Sequence, residues 1–188
     1  MYRTIHRLGA IVAAALVWVG VVGGVTVRAA QDATTPETNL SNALRTPGGE
    51  ACLAFVTSHG DESGFVLKPA QGTVSPKSLD GALQAGCGAR PTVVVVSACH
   101  SGTFLTAQSQ KPNRIIFTAA ATERTSFGCG ANDEYTNFDR CLLQSLDGAV
   151  TWRELAATTR SCVEASERRL NVRQASLPQL FVGASVAG

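Results

Sequence analysis

Two strand-like segments of the sequence end in residues that could carry out nucleophilic chemistry. ACLAFVTSHG (51–60) ends in His59 and Gly60, and TVVVVSACHSG (92–102) delivers Cys99 into a turn of small residues. A cysteine attacks acyl groups as the thiolate, and a neighbouring imidazole can handle the proton and later protonate the leaving amine. These residue types therefore indicate acyl transfer, provided that the fold brings the two strand ends together.

The spacing of the two residues is compatible with neighbouring strands. His59 and Cys99 are 40 residues apart, the length of one crossover connection. The oxyanion formed at the carbonyl would need aimed donors, and the backbone N–H groups of Gly60 and Cys99 lie in open turns. Other interpretations stay open at this point. A cysteine at the end of an apolar strand also fits a small core residue or half of a disulfide, and a histidine in a turn also fits a solvated surface residue.

The remaining patterns predict an α/β domain that would position these strand ends. NRIIFTAA (113–120) and PQLFVGASV (178–186) are further apolar strands, separated by the helical segments 135–146 and 151–170. Ser75 with Pro76 marks a helix start, and Thr151 with Glu154 has capping-box spacing. Strands without alternation are typical of a parallel sheet covered on both faces, so we predict a three-layer α/β/α sandwich. The last helix has an inward stripe comprising Trp152, Leu155, Ala156, Thr159, Val163 and Leu170.

Residues 1–29 predict a secretory signal peptide. Arg3 and Arg7 precede an apolar run from residue 8 to 27, and small residues follow, with cleavage expected after Ala29. The alternative is a membrane anchor retained over residues 8–27, since about 20 apolar residues span a bilayer. We therefore expect an exported protein, periplasmic or secreted, that associates with the membrane only if this segment is kept. We expect residues 30–50 to form a polar linker with a short helical turn at 40–44, and residues 51–188 to form the folded domain.

Charge and cysteine content narrow the classes of partner. The chain has 16 Lys and Arg against 14 Asp and Glu, but three of the arginines fall within residues 1–29, so the remainder has a net charge of −1. No basic patch is left, which disfavours nucleic acid as a partner.

All six cysteines lie in the part of the chain that is expected to be exported, where disulfides persist. Cys141 and Cys162 fit either a disulfide joining two helices or buried free thiols. Without a CxxC motif or clustered histidines, no metal or other cofactor is predicted.

Three blocks of the sequence resemble the legumain-like cysteine peptidases, which share the caspase-type fold. They are SHG (58–60), SACHSG (97–102) and TAAATERTSFGCGANDEYTNFDRCLL (118–143), they occur in the family's order, and the third is especially similar to bacterial members. The resemblance spans about residues 52 to 183. It implies a caspase-like sandwich with a mostly parallel sheet and a polypeptide substrate.

The resemblance also assigns roles within the two strand ends. It implies that His59 is the catalytic histidine, that Cys99 is the nucleophile, and that the backbone of Gly60 donates to the oxyanion together with that of Cys99. A dyad of this kind requires no third, orienting acid. His100 is not favoured as the base, because adjacent residues at an extended strand end point to opposite sides.

The substrate pocket is predicted from the same alignment. Thr125 and Ser126 align with small hydroxyl residues that line the pocket in legumain. Ser97 stands where legumain has an acidic residue that helps recognise asparagine, so an asparagine preference is not carried over. We predict Ser97, Thr125 and Ser126 as substrate-binding residues.

The sequence supports two hypotheses about function, one of an enzyme and one of a binding protein. The leading hypothesis is a cysteine endopeptidase that works through a Cys-His dyad and a thioester. The alternative is a catalytically inactive, truncated caspase-like scaffold that binds protein partners, because the family's initial strand–helix–strand needs about 30 residues and residues 30–50 cannot hold it. Loss of that unit would also leave an exposed sheet edge, which favours pairing with a second copy of the chain.

Overall fold

A mixed sheet with a parallel centre carries the two strand ends. The computed structural model describes residues 16–21, 25–28, 36–45, 49–67, 72–128 and 133–187. A smaller antiparallel sheet contains β4 (Gly60–Asp61), β5 (Gly64–Leu67) and β6 (Gly72–Val74). The larger sheet contains β1 (Leu16–Val21), β2 (Val25–Arg28), β3 (Cys52–Thr57), β7 (Thr92–Ser97), β8 (Arg114–Thr118) and β9 (Gln179–Val182). Among the described strands the order is β2-β1-β3-β7-β8-β9, with β3, β7 and β8 parallel and the outer pairings antiparallel. The predicted α/β fold with a mostly parallel central sheet is confirmed.

Helices pack on both faces of this sheet. One core cluster joins α1 (Pro36–Leu44) and α2 (Pro76–Cys87) to one face, through residues such as Leu44 and Leu83 against Val56 and Val94. The other cluster joins α3 (Asn137–Ser145) and α4 (Trp152–Arg169) to the opposite face around Phe117. Side chains alternate between these faces along β3 and β7, as strand geometry requires.

The helix-boundary signals in the sequence agree with the structure. The side chain of Ser75 accepts a hydrogen bond from the amide of Ser78 at the start of α2, and Thr151 and Glu154 form the predicted capping box of α4. Most of the predicted inward stripe of α4 is buried. Leu170 is the error: α4 ends at Arg169, so Leu170 lies in the following turn and is 64% exposed.

The region before β3 contains more structure than the sequence indicated. α1 occupies much of the predicted linker, and Leu40 and Leu44 of α1 are buried in the core. β1 pairs with β3 along its outer edge, so the sheet edge that we expected to be open is covered in the full chain. That edge would become free only if residues 1–29 were removed, and their removal remains a prediction. Within the described residues, no helix is both long and apolar enough to cross a membrane.

Two disulfides tie helices into the domain. Cys52–Cys87 links the start of β3 to the end of α2, and Cys141–Cys162 links α3 to α4. The second is the helix-to-helix pairing that the sequence left open. Cys129 falls outside the described residues, and among the cysteines that are described only Cys99 is free.

Candidate active site

The carboxyl ends of β3 and β7 lie side by side and in register. The last residue pair of this parallel ladder is Thr57 with Ser97, and the next amide, that of Ser58, donates to the carbonyl of Ser97 at 3.0 Å. His59 and Cys99 each follow this pair by two residues. The two predicted dyad residues therefore lie just beyond neighbouring strands, at the same edge of the sheet.

Thr57 and Ser58 turn to opposite sides as the chain leaves β3. Thr57 contacts the first turn of α3, whereas the hydroxyl of Ser58 donates to the carbonyl of Val66 at 2.5 Å. His59 follows immediately after them, outside the strand. It is exposed, and its imidazole makes no hydrogen bond within the part of the chain that the structure describes. An exposed ring without a competing partner can meet an incoming substrate.

The sulfur of Cys99 is held by the backbone of one loop residue, Ser126. The amide of Ser126 donates to Sγ at 3.3 Å, and the thiol donates to the carbonyl of Ser126 at 3.4 Å. Cys99 is half-buried and Ser126 is buried. When the proton leaves, the amide remains as a donor to the thiolate. Ser126 is thus placed beside the predicted nucleophile and contacts it through main-chain atoms.

Gly60 packs directly on the backbone of Cys99. A Cβ atom at Gly60 would lie 2.6 Å from the carbonyl oxygen of Cys99, so no other residue fits this approach. The amide of Val66 donates to the carbonyl of His59. Since paired residues alternate in an antiparallel ladder, the next pair, Gly60 with Phe65, is a non-hydrogen-bonded one. The Gly60 N–H therefore points away from the neighbouring strand β5 (Gly64–Leu67), an orientation suited to an oxyanion donor.

The turn after Cys99 is fixed to the loop that carries Ser126. His100 has a left-handed backbone with φ of 56°, its amide donates to the carbonyl of Arg124 at 2.8 Å, and its ring Nδ1 donates to the carbonyl of Thr122 at 2.9 Å. Gly102 lies against the backbone of Thr122, with no room for a Cβ atom. His100 thus has a structural partner, in keeping with the prediction that it is not the base.

The other two predicted substrate-binding residues differ in accessibility. Thr125 is exposed, next to the residue that touches the sulfur. Ser97 is only 1% exposed, and its hydroxyl lies 3.2 Å from that of Thr136. Thr125 can therefore contact a ligand at the surface, whereas Ser97 lies in the layer beneath.

An acid that the sequence did not single out lies below the dyad. Asp139, in the first turn of α3, accepts a hydrogen bond from the hydroxyl of Thr57 at 2.8 Å and is 6% exposed. Burial raises the pKa of Asp139 above its usual value, against the opposing effect of hydrogen bonds from Ser97, Thr57 and Thr136. Its spacing from Thr136 is that of a helix cap and its third residue, a pattern that in sequence predicts only a helix start.

The acids that follow Gly60 have a local role. Asp61 is exposed, and the hydroxyl and amide of Ser63 both donate to it, which lowers its pKa. Asp61 thus belongs to an exposed turn. Among the described residues, no group of three or more His, Cys, Asp or Glu side chains is arranged to hold a metal ion.

Comparison with known proteins adds one positive finding. A model of the Peptidase C13 family matches residues 40–159, a range that begins in α1, includes both strand ends and ends within α4. A comparison with curated proteins gave no match.

Proposed function

Because the chain belongs to the Peptidase C13 family, a family of cysteine peptidases, we propose that it is a cysteine endopeptidase that uses His59 and Cys99. Membership of the family supports the general activity, which is the cleavage of polypeptides by a cysteine nucleophile. Our proposal adds the identity of the dyad, the thioester intermediate and an active state of this chain.

One observation carries the proposal. Cys99 is half-buried, is the free cysteine of the described residues, and follows the end of β7 by two residues, as His59 follows the end of the neighbouring strand β3. A cysteine serving only as core filler would instead be enclosed by apolar side chains, and one serving only as a crosslink would be paired. The main-chain contacts with Ser126 hold the sulfur at the surface of the sheet edge.

In the proposed reaction His59 first accepts a proton and then donates it. His59 takes the thiol proton, and the sulfur of Cys99 attacks the peptide carbonyl, forming an S–C bond and an oxyanion that the backbone N–H groups of Gly60 and Cys99 stabilise. The imidazolium of His59 then gives its proton to the leaving amine as the C–N bond breaks, which leaves a thioester. Water, deprotonated by His59, attacks that thioester and the C–S bond breaks. The sulfur regains its proton from the imidazolium of His59, and the acid product loses its proton to solvent and leaves as the carboxylate.

Substrate binding is proposed for the loop beside the sulfur. Thr125 is exposed and the backbone of Ser126 borders Sγ, so a substrate side chain lying over this loop would meet the Thr125 hydroxyl. Ser97 lies below the surface and would act on the shape of the pocket from beneath. This arrangement supports a polypeptide substrate without specifying one residue type.

The test is cleavage of a fluorogenic peptide library varied at the residue before the scissile bond. We expect wild-type protein to cleave a subset of the library, and Cys99→Ala and His59→Ala to lower kcat/KM by about a hundredfold or more. Folding of each variant is checked by circular dichroism. An inactive scaffold would leave the library uncleaved by folded wild-type protein, and that result would reject the proposal.

We further propose that the protein is exported and works in an oxidising compartment. The disulfides Cys52–Cys87 and Cys141–Cys162 support this, since such bonds persist outside the reducing cytosol. Mass spectrometry of the N-terminus from fractionated cells tests it. A chain beginning near residue 30 in an extracytoplasmic fraction is expected, and an intact chain in the cytosol would contradict it.

A further inference from the structure

A buried polar cluster, comprising Thr57, Ser97, Thr136 and Asp139, lies immediately behind the dyad. It joins three elements: Thr57 ends β3, Ser97 ends β7, and Thr136 caps α3 with Asp139 in its first turn. Ser97 and Asp139 are 1% and 6% exposed, so the cluster is not a surface feature. Polar groups placed this deeply must have hydrogen-bond partners to be tolerated.

The hydrogen bonds of the cluster connect the two strand ends to one helix. The hydroxyl of Thr57 donates to Asp139 Oδ2 at 2.8 Å, and the amide of Asp139 donates to the hydroxyl of Thr136 at 3.0 Å. The hydroxyl of Ser97 lies 3.2 Å from that of Thr136. Since Thr57 and Ser97 stand two residues before His59 and Cys99, these contacts join α3 to both strand ends that lead to the dyad.

One oxygen of Asp139 lacks a hydrogen-bond partner. Asp139 Oδ1 is buried and makes no hydrogen bond within the described residues. Burial raises the pKa of this carboxyl, whereas the hydroxyls of Ser97, Thr57 and Thr136 lower it. Burial favours the neutral form, because an ionised carboxylate without a cationic partner is costly in the interior. Asp139 is connected to Thr57 through its carboxyl and to Ser97 by way of Thr136.

We propose that Asp139 is a positioning residue, a carboxyl that holds the ends of β3 and β7 against α3 and so sets the separation of His59 and Cys99. The inference rests on the proposed function, because it assumes that the dyad is catalytic. Asp139 does not touch substrate in this account. Its effect is on kcat, since misplacing a dyad residue by about 1 Å costs up to about a hundredfold in rate.

The test compares Asp139→Asn, Asp139→Ala and Thr57→Val in the full chain. The readouts are kcat and KM on the best library peptide, and the rate at which iodoacetamide alkylates Cys99, measured by mass spectrometry. Asn keeps an acceptor for the Thr57 hydroxyl, so we expect kcat within about threefold of wild type. Asp139→Ala should lower kcat by about tenfold or more with KM nearly unchanged. If Asp139→Ala does not fold, Thr57→Val removes the same hydrogen bond from the other side and should lower kcat in the same direction.

A matched carboxyl-to-amide change separates positioning from general destabilisation. Asp80 pairs with the buried guanidinium of Arg114, at the start of β8 and thus at the opposite edge of the sheet. Asp80→Asn should lower stability and leave kcat unchanged at temperatures where the protein is folded. Wild-type kcat in folded Asp139→Ala or in Thr57→Val would overturn the inference, as would an Asp139→Asn variant as impaired as Asp139→Ala. Failure of the proposed function is distinguishable, because wild-type protein would then cleave no peptide.

Discussion

The backbone carbonyl oxygen of Cys99 lies so near Gly60 that a Cβ atom there would sit 2.6 Å away from it. The same atom would lie 3.0 Å from the Cβ of Ala98. Both neighbours belong to the segment that carries the nucleophile, and a backbone carbonyl cannot move aside as a flexible side chain would. The close approach of these two residues therefore depends on glycine at position 60.

Gly60→Ala should consequently damage the site. The added methyl group would push the ends of β3 and β7 apart and turn the Gly60 N–H away from the oxyanion. We expect the peptidase kcat/KM to fall by about tenfold or more, measured on the best peptide of the library.

Gly81→Ala is the matched control for this substitution. Gly81 lies in α2, and a Cβ atom there would meet nothing within 4 Å. This change should leave kcat/KM unaltered and stabilise α2 by about 0.5–1 kcal/mol. Equal activity of the two variants would show that Gly60 has no special role.

The protonation of Asp139 should make stability depend on pH with a definite sign. Burial raises the pKa of Asp139 above its ordinary value of 3.8, so the native state binds this proton more tightly than the unfolded state. The free energy of unfolding therefore falls as pH rises from 3.8 through the raised pKa. Asp139→Asn lacks this loss, and its stability relative to wild type should increase across that window in urea denaturation.

Glu154→Gln provides a contrast of opposite sign. The backbone amides of Val150 and Thr151 donate to Glu154 and lower its pKa below 4.5. The stability that Glu154 contributes is thus present above pH 4.5 and is lost as pH falls through the lowered pKa.

For the Asp139 prediction, parallel pH profiles of stability for wild type and Asp139→Asn would show that Asp139 is not protonated preferentially in the native state.

His100 should be far less important for catalysis than His59. Its Nδ1 donates to the carbonyl of Thr122, so its ring is engaged with the loop and not with the sulfur. His100→Ala should therefore keep kcat/KM within about tenfold of wild type, the cost of one lost hydrogen bond. A loss as large as that of His59→Ala would reassign the base.

The two disulfides should each stabilise the domain. Cys141–Cys162 and Cys52–Cys87 close segments with sequence separations of 21 and 35, for which crosslinking contributes about 3–4 kcal/mol. Peptide mapping without reduction should recover both links. Replacing both cysteines of either pair with Ala should lower the free energy of unfolding in urea by that amount. Recovery of Cys99 in a disulfide would contradict the assignment of a free nucleophile.

The sequence predicts the strand ends better than what lies beneath them. Unbroken β-branched residues before Cys99 indicate a buried parallel strand, and that pattern is local, so β7 could be predicted. Asp139 could not be recognised, because a Thr136-x-x-Asp139 spacing looks the same at any helix start. Its contact with Thr57 joins residues 82 positions apart and exists only once α3 packs on the sheet. The burial of Ser97 depends on the same packing.

The segment before β3 contains a helix that its local sequence does not predict. A run of polar residues with a few apolar ones, as in the segment around Leu40 and Leu44, predicts a linker when read alone. The α2 surface that buries those leucines lies more than 30 residues further along the chain. Tertiary packing, which no local pattern encodes, converts the segment into α1.

Activation of Cys99 by His59 can be measured as the rate at which iodoacetamide alkylates Cys99 at neutral pH. Peptide mass spectrometry follows the modification of Cys99 in folded wild type and in His59→Ala. We predict rapid labelling in wild type and labelling slower by about tenfold or more without the imidazole. Equal rates in the two proteins, or a Cys99 that stays unmodified in folded wild type, would contradict a His59–Cys99 dyad.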